Sequence, residues 1–117
     1  MMRFMTPFEI VLVPFPFADL SSNKRRPCLI LSIIKPKKLG EHAIVAMITS
    51  QLSGPRFPFD IELLEYKFSG LPKPSLVRLA KIVTVDRNLI IKKLGSLHQK
   101  DQKVVKLEFQ KLFNSMI

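Results

Sequence analysis

Prolines, glycines and charged clusters cut the first three quarters of this sequence into short apolar runs at near-regular spacing. The runs are Glu9 to Phe15 (EIVLVPF), Pro27 to Ile33 (PCLILSI), Ala43 to Thr49 (AIVAMIT), Pro58 to Leu64 (PFDIELL) and Ser75 to Val85 (SLVRLAKIVTV). Each is rich in Val, Ile, Leu or Phe, side chains that suit a pleated, half-buried surface. Gly54 with Pro55, and Gly70 with Pro72 and Pro74, supply turn chemistry in the breaks. Five such strands predict a small barrel or curled sheet, and a further short strand over Ile90 to Leu94 is ended by Gly95.

The tail changes period. From Asp101 onward Val105, Phe109, Leu112 and Met116 fall at i, i+4, i+7 and i+11, one stripe of an α-helix, with Lys103, Lys106, Gln110 and Lys111 outside it. His98 is placed to cap this helix and Asp101 to support its first turn. The stripe is expected to pack on the barrel. A length of 117 residues fits one domain, with no repeat or linker, so residues 1–117 read as a single unit.

Composition narrows the function classes. With 47% hydrophobic residues the chain can build a core. Cys28 is the only cysteine, which excludes an internal disulfide and four-Cys zinc frameworks, and His42 and His98 lack ligand spacing, so neither metal nor cofactor is expected. Cys28 sits inside a strand run with no activating neighbour and reads as a small buried hydrophobe. Glu9, Pro7, Pro14 and Pro16 interrupt the N-terminal apolar stretch, so it does not read as a secretion signal. No window approaches the roughly 20 apolar residues of a membrane span, and a cytoplasmic protein is the simplest expectation. Against 9 Asp and Glu stand 19 Lys and Arg, a net charge of +10, and the resulting field attracts polyanions, nucleic acid first among them.

Five short motifs carry the rest: Ile10 to Asp19 (IVLVPFPFAD); Lys24, Arg25 and Arg26 before Pro27; Ile48-Thr49-Ser50-Gln51; Gly70-Leu71 with Pro74-Ser75 and Val77-Arg78; and Thr84-Val85-Asp86. Arg26 stands first, because a residue before proline is restricted toward the extended region and its guanidinium can then present a bidentate fork to a phosphate. The plain alternative is a solvated loop arginine between Lys24, Arg25 and the strand. Thr49, Ser50 and Gln51 place three hydrogen-bonding side chains at one strand end, where ordinary turn chemistry is the alternative. Phe15 with Phe17, and Phe57 with Phe59, flank the two loops beside these motifs. Phe17 and Phe57 lie nearer the loops, where a nucleobase can stack at about 1–3 kcal/mol, while core packing is the alternative for all four.

In this order and spacing the motifs resemble the MazF/PemK family of toxin endoribonucleases, over roughly Phe8 to the C-terminal helix. The resemblance implies an SH3-like barrel of the PemK/CcdB type with a C-terminal helix, a homodimer, and a toxin that cuts single-stranded RNA without a metal and is held in check by an acidic antitoxin protein. Arg26 aligns with the family's catalytic arginine, and Thr49 with a threonine that contacts the scissile phosphate. Arg78 matches a second catalytic arginine, with Leu76, Arg78 and Ala80 expected on one face of their strand. Phe17, Asp19, Lys24, Arg25, Ser50, Gln51 and Phe57 are the expected RNA-binding set, Asp19 either orienting Arg26 or capping its loop. The sequence departs from the family at Ala80, where some members carry an Asp, at Phe8-Glu9 in place of Gly-Asp, and at Ser21-Ser22-Asn23 in place of Glu-Gln. Two rivals stand beside the ribonuclease: a noncatalytic RNA-binding barrel, and a gyrase poison of the same fold, whose Trp-bearing C-terminus this Trp-free chain lacks.

Overall fold

A computed structural model describes residues 5–14 and 24–115. Phe17 and Asp19, together with Phe15, Ser21, Ser22, Asn23 and Met116, lie outside the described residues. Six strands form one antiparallel sheet: β1 (Glu9–Pro14), β2 (Arg25–Ile34), β3 (His42–Thr49), β4 (Asp60–Glu62), β5 (Leu76–Asp86) and β6 (Lys92–Ser96). Their spatial order is β4-β5-β3-β2-β1-β6, and one helix, α1 (Gln99–Asn114), follows.

All five apolar runs become strands, and the mainly β architecture with a C-terminal helix is the expected one. The sheet bends without closing by hydrogen bonds, so β4 and β6 remain its two edges. The chain between them does the bridging. Gly70, at φ +81°, and Gly95 bring their backbones together so closely that a Cβ on Gly70 would collide with the Leu94 carbonyl and one on Gly95 with the Ser69 carbonyl. Gly95 therefore lies inside β6 and does not end a strand over Ile90 to Leu94. Asp101, fully buried, accepts from the backbone N–H groups of Leu64 at 2.8 Å and Glu65 at 3.0 Å. Its carboxylate thus ties the first turn of α1 to the chain after β4. Expected as a support of its own helix, it serves a second element as well.

Hydrophobic residues are buried on both faces of the sheet, which is why the strands read as apolar runs more than as alternations. One cluster contains Ile10, Leu29, Ile48, Val77, Leu97 and Val105 of α1, with Phe109 and Leu112 packed against it. The other contains Val11, Val13, Cys28, Ile30 and Val45. The helix stripe therefore packs on the sheet as expected. The helix starts at Gln99, two residues before the apolar period, because His98 caps it: Nδ1 accepts from Lys100 N–H at 3.1 Å. Among the described residues no helix is long and apolar enough to cross a membrane.

Candidate nucleic-acid interface

Strand register assembles the candidate residues. Arg26 pairs with Val13 across β1 and β2; two residues along β2, Cys28 faces Met47 of β3, which is itself two residues from Thr49. Across β3 and β5, Thr49 faces Leu76 and Met47 faces Arg78, and Arg78 in turn faces Asp60 of β4. Side chains opposite one another, and those two apart on a strand, share a face. Arg26, Thr49, Arg78 and Asp60 therefore occupy adjacent rows on one face of the sheet, although 52 residues of sequence separate Arg26 from Arg78. A bulge leaves Leu79 to Lys81 out of the β3–β5 pairing, directly beyond Arg78.

At the ends of the same strands a groove of about 480 Å³ opens. Arg25, Arg26, Thr49, Ser50 and Gln51 line it, as the sequence suggested, joined by Lys73, Ser75 and Lys92. Arg78 and Phe57 do not line this groove; they stand on the sheet face beside it. Lys24, exposed at the end of the described chain, is outside its lining too. Lys73 carried a readable signal, since the flanking Pro72 and Pro74 mark a turn around it. Lys92 carried none, because only the β1–β6 pairing with Leu12 brings it here.

The electrostatics of the groove follow from where the acids are. Glu9 pairs with Lys93, Glu41 with Lys35 and Arg87, Asp60 with Arg78, Glu62 with Arg56, Glu65 with Lys100, Asp86 with His42 and Glu108 with Lys111. Asp101 is buried on backbone amides. Among the described residues no carboxylate lines the groove, and Arg25, Arg26, Lys73 and Lys92 form no ion pair. Four cations left without carboxylates in one concavity make an anion site.

Individual side chains are prepared to different degrees. The Thr49 hydroxyl oxygen accepts from Gln51 N–H at 3.1 Å, which is the turn chemistry offered as the alternative reading, and its own proton remains available to a ligand. Arg78 is held by Asp60, Nη2 donating to Oδ2 at 3.0 Å and Nε to Oδ1 at 3.1 Å. Cys28 is buried behind Arg26. Loss of hydration pushes its thiol up to about 12 against a smaller opposing pull from Arg26, and Sγ–H points to the Arg26 carbonyl at 3.8 Å. It is no nucleophile. Among the described residues no group of three or more His, Cys, Asp or Glu side chains is arranged to hold a metal ion.

Comparison with known proteins gives the family and the fold. The family described as PemK-like, MazF-like toxin of type II toxin-antitoxin system matches residues 6–113. Toxin MazF-mt6 of Mycobacterium tuberculosis is 20% identical, with TM-score 0.68 over 91% of this chain and 96% of that one. An endoribonuclease in complex with its cognate antitoxin, from a mycobacterial species, is 11% identical, with TM-score 0.71 over 95% of this chain and 96% of that one. A crystal structure of MazE-MazF from Deinococcus radiodurans is 18% identical, with TM-score 0.67 over 96% and 97%. At these identities the structures establish a shared fold. No curated protein matches the chain significantly.

Proposed function

The chain belongs to the PemK-like, MazF-like toxins of type II toxin-antitoxin systems, and from that premise we propose that it is an endoribonuclease that cleaves single-stranded RNA. The observation that carries this reading is that Arg26 and Thr49 line one basic groove in which no described residue is a carboxylate. RNA supplies its own nucleophile. The 2′-oxygen attacks the adjacent phosphorus, the bond to the 5′-oxygen breaks, and the 2′-proton is lost as the departing oxygen gains one, leaving a 2′,3′-cyclic phosphate and a 5′-hydroxyl. Such a reaction needs the strand held in line and the extra negative charge of the transition state stabilised.

Arg26 meets that charge with its two-pronged donor. Thr49 donates its free hydroxyl proton to a nonbridging oxygen while Gln51 N–H fixes the orientation of the hydroxyl. Arg78, one row away, adds positive charge that Asp60 partly offsets. Arg25, Ser50, Gln51, Lys73 and Lys92 bind the flanking strand. Unpaired RNA is the substrate because in-line attack requires a backbone free to leave A-form geometry. DNA binds the same cations and survives, lacking the nucleophile.

A toxin of this kind requires a partner that closes the groove. An acidic antitoxin segment, disordered when free, folds across Arg26 and Thr49 with carboxylates where phosphates sit, and opposite charge speeds its arrival. The toxin acts as a homodimer offering two such grooves. The decisive experiment incubates the protein with a mixed-sequence RNA in EDTA and maps the ends. Cyclic phosphate and 5′-hydroxyl ends are expected. Intact RNA that is nonetheless bound would make the protein a noncatalytic RNA-binding barrel, and 3′-hydroxyl ends would overturn the mechanism.

A further inference from the structure

Phe57 has no place in either core cluster, yet it is held firmly. It lies in the loop from β3 to β4 and is 41% exposed. Its backbone N–H donates to Asp60 Oδ2 at 3.0 Å, the same oxygen that accepts from Arg78 Nη2. One carboxylate, 4% exposed, thus fixes both the loop and the guanidinium. The guanidinium carbon lies 4.6 Å from the centre of the Phe57 ring, and Lys81 Nζ lies 5.2 Å from it. Phe59, at φ +67°, turns the loop so that Asp60 reaches back to Phe57, a left-handed conformation that costs an L-residue about 1–2 kcal/mol.

Phe57 stays accessible, 41% exposed with both cations at its ring. The Arg78 side chain is only 13% exposed, so it backs the ring from the side of the sheet. Arg78 is also the diagonal neighbour of Thr49 in the β3–β5 register, a separation of about 7–8 Å. A base attached to the nucleotide next to the phosphate at Thr49 is therefore on the same side of the sheet as the Phe57 ring.

We propose that Phe57, backed by Arg78 and oriented by Asp60, is a nucleobase-stacking platform that receives a base of single-stranded RNA beside the phosphate bound by Arg26 and Thr49, a proposal that rests on the endoribonuclease reading. Every base offers a π-face to an aromatic ring, so the platform provides grip and alignment before it provides sequence choice. Lys81, at the ring, neutralises the phosphate of the stacked nucleotide. Asp60 is a positioning residue: it touches no RNA, and it keeps Arg78 and the loop in register with Thr49.

The test uses a 2′-O-methyl RNA decamer of mixed sequence, which cannot be cleaved, and a sugar–phosphate strand of the same length without bases. Phe57→Leu is expected to weaken binding of the base-bearing strand about tenfold and to leave the abasic strand unchanged. Phe57→Tyr restores binding, which separates loss of the ring from loss of the fold, and Arg26→Ala weakens both strands alike. A 2-aminopurine placed in the decamer is quenched by the wild type and not by Phe57→Leu. Equal losses on both strands, no loss at all, or failure of the tyrosine to rescue would overturn the platform. Failure of Phe57→Leu to bind an acidic antitoxin segment, with RNA binding intact, would give the surface to the protein partner and overturn it too. Cleaved RNA with base-indifferent binding defeats the platform and leaves the enzyme standing. Base-selective binding without cleavage defeats the enzyme and leaves the platform.

Discussion

Basic residues gather around both ends of strands β2 and β3 and meet opposite surroundings there. At the far end, Arg87 Nη1 meets Glu41 Oε1 at 2.9 Å, Lys35 lies 3.7 Å from the same carboxylate, and His42 stands 4.0 Å from Asp86. The backbone reinforces this closure, since Arg87 N–H donates to the Glu41 carbonyl at 3.0 Å. At the near end Arg25, Arg26, Lys73 and Lys92 line one groove, with no carboxylate beside them among the described residues. The difference teaches that a surplus of +10 is not itself a site. Cations that are paired and half-buried hold elements together, whereas cations kept apart from acids store an electrostatic demand that an anion must meet.

The strongest way to break this contrast is at Arg26. Arg26→Ala should lower the rate of RNA cleavage by about 10² or more, as removal of a transition-state donor does, with the melting temperature unchanged. Arg26→Lys should recover little, since a point charge lacks the fork. An alanine variant that melts early would place Arg26 with the structural cations. At the far end the pattern reverses. Arg87→Ala should lower the unfolding free energy by about 1–3 kcal/mol, because it leaves Glu41 half-buried without its closest partner, while cleavage of RNA is unchanged. Denaturant titration and an end-labelled cleavage assay read the two quantities in one preparation.

The groove lysines sharpen the comparison by degree. RNA affinity should fall steeply with salt, and Lys73→Ala and Lys92→Ala should each reduce the slope of log affinity against log salt by about 1. Lys35→Ala, at the closed end, should leave that slope alone. The smallest effect concerns Cys28, behind Arg26. Above its ordinary pKa of 9.0 the unfolded thiol ionises, while the buried one keeps its proton until about 12, so stability falls as pH rises through that window. The fall should be shallower in Cys28→Ala. Iodoacetamide at pH 8.5 should leave the folded thiol unmodified and label it once the chain is unfolded.

The fold was legible because its signals are local. Apolar runs between Pro and Gly breaks found the strands, and His98 with the Val105, Phe109 and Leu112 stripe found the helix. Where the reading slipped, a distant partner was responsible. Gly95 resembled a strand end and is instead the place where β6 meets Ser69 and Gly70. Asp101 resembled a helix charge and is also a cap for the chain after β4. Arg26, Thr49, Ser50 and Gln51 were legible as site candidates because each sits at a strand end in a recognisable motif. Lys92 was not, since its own neighbours give it no role.

Sequence by itself determined the inventory: a surplus of positive charge, a lone thiol in an apolar run, strands set by β-branched residues between turns, and a helix set by its period. These are properties of a few adjacent residues, and local sterics and hydrophobicity enforce them wherever the chain goes. Tertiary structure alone decided the pairings. The sheet order brought Arg26 and Thr49 into one groove, gave Arg78 the carboxylate of Asp60, and sent the described acids everywhere except that groove. Charge and register act between residues distant in sequence, so a site made of them exists only after the strands have chosen their neighbours.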